Sequence, residues 1–159
     1  MAMACILSGD IGGTKTLLKL SAADDELTPL LQKSYASAAY AGLVEIVDEF
    51  LSEAEKHDIS SACFALAGPV AGGVGRLTNL PWVVNGKELE ARYGIKRVAL
   101  INDFEAVGHG VEPLQTGDLL TLQSGVEDTQ GVRMVVGAGT GLGVAWLSEQ
   151  EGEGDPPTG

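Results

Sequence analysis

Two distant stretches of this chain are built to one plan, and that repetition limits what the chain can fold into. Residues 4–20 and 132–147 each read as an apolar strand, a glycine-rich turn carrying a threonine, and a second apolar strand. The turns are Asp10-Ile-Gly-Gly-Thr14 and Gly137-Ala-Gly-Thr-Gly141. Without bulky side chains, backbone N–H groups in such a turn can converge on an anion, and threonine adds a hydroxyl donor. Each turn taken singly is equally well a plain hairpin connection.

Two better-known phosphate loops are excluded. A P-loop needs glycine where Thr14 stands, directly before Lys15, and it leads into a helix. Thr14 to Leu20 instead reads Thr-Lys-Thr-Leu-Leu-Lys-Leu, a return strand without a helix cap. A dinucleotide fingerprint starting at Gly137 and Gly139 needs its third glycine at position 142, where Leu142 sits before another strand-like run.

Between the two hairpins the pattern becomes α/β. Strands are expected over 4–9, 14–22 and 30–36, an antiparallel opening meander. An amphipathic helix follows over 41–57, with Leu43, Val44, Val47, Phe50, Leu51 and Ala54 on one face. A buried strand over 61–67 ends at Gly68-Pro69, and a glycine-rich turn occupies 71–75. Asn85 is placed to cap a helix over 86–93 that Gly94 ends. A strand over 97–101 and a helix over 104–110 complete the layer. Beyond the second hairpin, residues 148–159 carry no apolar side chain and read as a disordered acidic tail. The domains expected are 1–110, 111–147 and that tail.

The 159 residues carry a formal charge of −12, which repels nucleic acid and anionic membranes. Phosphate must therefore be met locally, by backbone amides, a few cations or a metal. Cys5 and Cys63 lie in apolar runs without metal or redox spacing and read as small hydrophobes. No stretch reaches the roughly 18 apolar residues of a membrane span, and no cleavable leader is evident, so a cytoplasmic location is expected. Trp82 and Trp146 read as packing residues. His57 and His109 receive no catalytic role.

Asn102-Asp103 follows the C-terminal end of an apolar strand, where ligands of open α/β sheets collect. An amide suits a sugar hydroxyl, and a carboxylate can take the proton of an attacking hydroxyl. The same pair also reads as a helix cap before Phe104.

Five motifs in order, Asp10-Ile-Gly-Gly-Thr-Lys15, Leu66-Ala-Gly-Pro-Val70, Thr78-Asn-Leu-Pro-Trp82, Ile101-Asn-Asp-Phe-Glu-Ala-Val107 and Gly137-Ala-Gly-Thr-Gly-Leu-Gly143, closely resemble the N-terminal half of the bacterial ATP-dependent glucokinases. That family belongs to the actin, sugar kinase and Hsp70 ATPase superfamily. The resemblance implies a ribonuclease-H-like α/β fold, a mixed sheet with an antiparallel opening meander and flanking helices, plus the first hairpin of a second domain. It implies ATP and Mg²⁺ as cofactors and glucose as substrate. Asp10, Gly12, Gly13 and Thr14 would form the first phosphate loop, with Asp10 placing Mg²⁺ through water. Gly137, Gly139, Thr140 and Gly141 would form the second. Asn102 would hold glucose, Asp103 would take the proton of its 6-hydroxyl, and Asn79 is a further glucose-site candidate.

Members of the family are about twice as long, so the chain is expected to be an N-terminal portion without the adenosine-binding glycine motif. Gly152-Glu-Gly-Asp155 lacks the histidine of the family's Glu-Gly-Gly-His segment and receives no role. Apolar surface left exposed by the shorter length would promote self-association, with a homodimer as one form it could take, while the sequence leaves the oligomeric state open. Two alternatives stay open: a non-catalytic sugar-binding or interaction module, and a kinase for another hexose such as an N-acetylhexosamine or mannose.

Overall fold

The computed structural model describes residues 4–54, 58–126, 128, 131–138 and 142–147. His57, the turn residues Gly139, Thr140 and Gly141, and the acidic tail over 148–159 lie outside the described residues. The chain divides into two compact units, Met1–Asp103 and Phe104–Gly159.

The first unit opens with three antiparallel strands, β1 (Ala4–Ile11), β2 (Lys15–Ala22) and β3 (Pro29–Ala36). Alternation drives them. Cys5, Leu7 and Ile11 of β1 and Thr16, Leu18 and Leu20 of β2 are all fully buried, two residues apart or a multiple of it. Helix α1 (Leu43–Glu53) covers one face with Leu43, Ile46, Val47 and Phe50, which recur at the spacing of a single helical stripe. Val44, expected on that face, is 36% exposed, and Ile46 takes its place. Burying side chains of this size stabilises the fold by about 1.5–3 kcal/mol each.

After α1 the chain enters β4 (Asp58–Leu66), which pairs parallel to β1. Three very short strands follow, β5 (Val70–Ala71), β6 (Val74–Arg76) and β7 (Val83–Asn85), in an antiparallel sheet of their own. Gly72 and Gly73 join β5 to β6 with φ of 58° and 74°, the two left-handed residues of a tight hairpin turn. Helix α2 (Gly86–Tyr93) is capped as its sequence dictates. Asn85 accepts from the Lys87 N–H, and Gly94 ends the helix in the left-handed conformation. Strand β8 (Val98–Asn102) then pairs parallel to β4 and completes a mixed sheet of order β3-β2-β1-β4-β8. The ribonuclease-H-like mixed sheet expected from the sequence is the sheet observed.

Helix α3 (Asp103–Val111) follows β8 directly. In the second unit, β9 (Arg133–Ala138) and β10 (Leu142–Leu147) form an antiparallel hairpin. Gly137 and Gly143 sit opposite each other and leave room for the Phe104 ring, which lies where their side chains would be. The other hairpin face exposes Met134, Val136, Leu142, Val144 and Trp146. Trp146 is 71% exposed, so the packing role read for it holds only for Trp82, which is 4% exposed. Among the described residues no helix is long and apolar enough to cross a membrane.

Among the described residues, one buried side-chain oxygen or nitrogen has no hydrogen-bond partner. Tyr35 is 5% exposed, and its hydroxyl is enclosed and unbonded while its ring meets Tyr40 edge-on. An unsatisfied buried hydroxyl costs more than its removal. Tyr35→Phe is therefore expected to raise stability by about 1 kcal/mol, measurable by urea unfolding.

Candidate active site

Strand register brings the singled-out residues of the first unit to one edge of the sheet. Ile11 of β1 pairs with Leu66 of β4, and Leu66 pairs with Asn102 of β8. The C-terminal ends of the three parallel strands are thus aligned, with Asp10 and Asn102-Asp103 two strand spacings apart, about 10 Å. Ligand sites of α/β sheets form at such an edge.

Backbone hydrogen bonds stitch three of the motifs together there. The Ala67 N–H donates to the Ile11 carbonyl at 3.0 Å, and the Thr78 N–H donates to the Ala67 carbonyl at 3.1 Å. These bonds carry the Thr78–Trp82 loop to the first turn. A Cβ on Gly13 would lie 2.9 Å from Asn79 Cβ, so glycine is required for this approach. Neither Gly12 nor Gly13 has positive φ. Their value in the turn is the absence of a side chain.

Asn102 is half-buried and its Nδ2 donates to the Gly68 carbonyl at 3.0 Å, which fixes the plane of the amide. Gly68 itself is hemmed in by the Arg76 carbonyl, 1.9 Å from where a Cβ would stand. Asp103, also half-buried, is the first residue of α3. Asn79, Thr14 and Lys15 are exposed.

The Asp10 carboxyl titrates above the usual aspartate range. Asp10 is exposed near the end of its strand, yet the protein on its inner side removes part of its solvation, the Asp103 carboxylate repels its charge, and Lys15 partly offsets both. An acid raised in this way costs the fold stability while ionised. The cost is absent below the unfolded value of about 3.9 and complete above the raised folded value, so stability falls as pH climbs through that window. Asp10→Asn is expected to raise the Tm slightly at about pH 7 and to change it little at about pH 3. Thermal melts at the two pH values check this.

In the second unit, Gly137 lies inside β9 rather than at the tip of its hairpin. Sequence reasoning gave no role to Gly68, Ser37 or Thr16. Thr16 left a signal, because it shares the inward phase of Leu18 and Leu20 and a buried hydroxyl must find a partner. Ser37 and Gly68 left none.

A mixed sheet with this edge is the architecture of sugar kinases with the actin-like fold. The structure superposes on the glucokinase from an Antarctic psychrotroph with a TM-score of 0.80 and 29% identity, over 92% of this chain and 47% of that one. For the glucokinase from Balamuthia mandrillaris in complex with glucose the TM-score is 0.62 at 25% identity, over 94% and 46% of the two chains. The sequence profile of the glucokinases matches residues 7–157. The glucokinase of Nostoc punctiforme is 44% identical over 150 residues, covering 93% of this chain and 44% of the relative. The chain belongs to the glucokinase family. It spans less than half the length of these relatives.

Proposed function

We propose that this chain forms part of an ATP-dependent glucokinase that transfers the γ-phosphoryl group to the 6-hydroxyl of glucose. The observation that carries the reading is the alignment of Asp10 and Asn102-Asp103 on one sheet edge. Phosphoryl transfer asks the protein chiefly to position the reactants and to neutralise charge. Asn102, its amide fixed by Gly68, would hold a glucose hydroxyl, and Asn79 would extend that contact. Asp103 would accept the proton of the 6-hydroxyl as the hydroxyl oxygen attacks phosphorus.

The Asp10–Thr14 turn would hold phosphate oxygens through backbone amides and the Thr14 hydroxyl. Gly137, Gly139, Thr140 and Gly141 are proposed as a second phosphate turn. Mg²⁺ fits this donor set, because it is commonly bound by one or two carboxylates plus substrate phosphates. The Asp10 carboxylate, repelled by the charge of Asp103, is one that a cation would relieve, with Asp10 holding the ion through water. When bound, Mg²⁺ supplies positive charge to the phosphates. A chain with a formal charge of −12 can then meet ATP without a basic patch.

The test is glucose-dependent ADP release by the 159-residue chain and by a longer relative into which the chain is grafted in place of the matching segment. Release that requires glucose and is lost in Asp103→Ala supports the proposal. Release indifferent to glucose overturns it, as does saturable glucose binding without ADP formation in both proteins.

A further inference from the structure

Under the first turn lie two hydroxyls shut off from solvent. Thr16 and Ser37 are both 0% exposed, and their Oγ atoms are 2.9 Å apart. Ser37 Oγ also lies 2.7 Å from the Gly12 carbonyl oxygen. A carbonyl can only accept, so Ser37 gives its single hydroxyl proton to Gly12, and Thr16 must give its own to Ser37. The Ser37 backbone N–H donates to the Thr14 carbonyl at 3.0 Å. One residue therefore grips the carbonyls at both ends of Gly12–Thr14.

This grip has a directional result. In a trans peptide the carbonyl and the following N–H point opposite ways, and the described chain contains no cis bond. With the Gly12 carbonyl drawn onto Ser37, the Gly13 N–H points away from the core. We infer that Ser37, backed by Thr16, is a positioning residue that fixes the Gly13 N–H as a donor to a phosphate oxygen. The inference rests on the phosphate reading of this turn. It adds to that reading the device that holds the donor in place before any ligand arrives, so that binding need not order the turn.

The test uses the ¹⁵N-labelled 159-residue chain and two readouts: the residual dipolar coupling of the Gly13 N–H without ligand, and titration with inorganic tripolyphosphate followed at the Gly13 and Thr14 amides. Ser37→Ala is expected to change the Gly13 coupling and to weaken tripolyphosphate binding roughly tenfold. Thr16→Val should shift the coupling in the same direction by less, and Thr16→Ser, which keeps the hydroxyl, should match the parent. An unchanged Gly13 coupling in Ser37→Ala overturns the inference even if the Tm falls, because a packing role alone lowers stability without turning the peptide. Should Ser37→Ala fail to fold, the Thr16 pair decides, and identical couplings in Thr16→Val and the parent overturn it. If the coupling changes in Ser37→Ala while the parent binds no tripolyphosphate, Ser37 still positions the peptide and the phosphate reading is what fails.

Discussion

Asp103→Ala is expected to lower glucose-dependent ADP formation by about 10²–10⁴-fold, the usual worth of a positioned general base. The loss should fall on kcat, with glucose affinity held within a few-fold. Asn102 reaches Gly68 through its own side chain, so removing the neighbouring carboxylate leaves the amide anchored. Asp103→Asn should be as inactive as the alanine variant, because an amide of the same shape cannot take the proton. The check is steady-state kinetics of both variants in the grafted protein, beside calorimetric glucose titration. A rate within a few-fold of the parent in either variant would remove Asp103 from the base role.

Gly68→Ala is expected to be the most damaging single-methyl substitution in the first unit. The new Cβ would stand 1.9 Å from the Arg76 carbonyl oxygen and 3.0 Å from its carbon, so backbone must move rather than a flexible side chain. Overpacking of this kind costs about 3 kcal/mol, which for a chain of this size lowers the Tm by roughly 6–12 °C. The displaced Gly68 carbonyl would also release the Asn102 amide, so glucose affinity should fall with stability. Gly72→Ala is the control. Its φ of 58° strains an alanine by about 1–2 kcal/mol, but no atom lies near and no site residue depends on it. Thermal melts and glucose titrations of the two variants separate strain at the site from strain elsewhere.

Much of the sheet was legible because its strands carry a period. Cys5, Leu7 and Ile11 announce β1, and the apolar runs Ala62–Leu66 of β4 and Val98–Ile101 of β8 announce strands with little exposed surface. The Asn85 and Gly94 caps were readable for the same local reason. Strands β5 to β7 were not, since two or three residues hold no period and the hairpin exists through the backbone of Gly72 and Gly73. Leu119, Leu120 and Leu122 are apolar yet 58%, 83% and 90% exposed and lie in no strand or helix. At the site, Asp10, Asn102 and Asp103 stood out because they are polar groups ending apolar strands. The supports beneath them did not. Ser37 reaches Gly12 across 25 residues and Asn102 reaches Gly68 across 34, and no spacing rule links such pairs before the chain is folded.

The close approach of Gly13 to Asn79 bears on how a new sugar preference could arise in such a protein. The turn proposed for phosphate and the loop proposed for sugar share a wall one side chain thick. Enlarging residue 79 to reshape the pocket would press on the turn behind it, so a change in what is phosphorylated would carry a penalty in how the phosphate donor is held. Selectivity is more freely altered from the Asn102 side, where the support is the Gly68 carbonyl and the turn is two strands away.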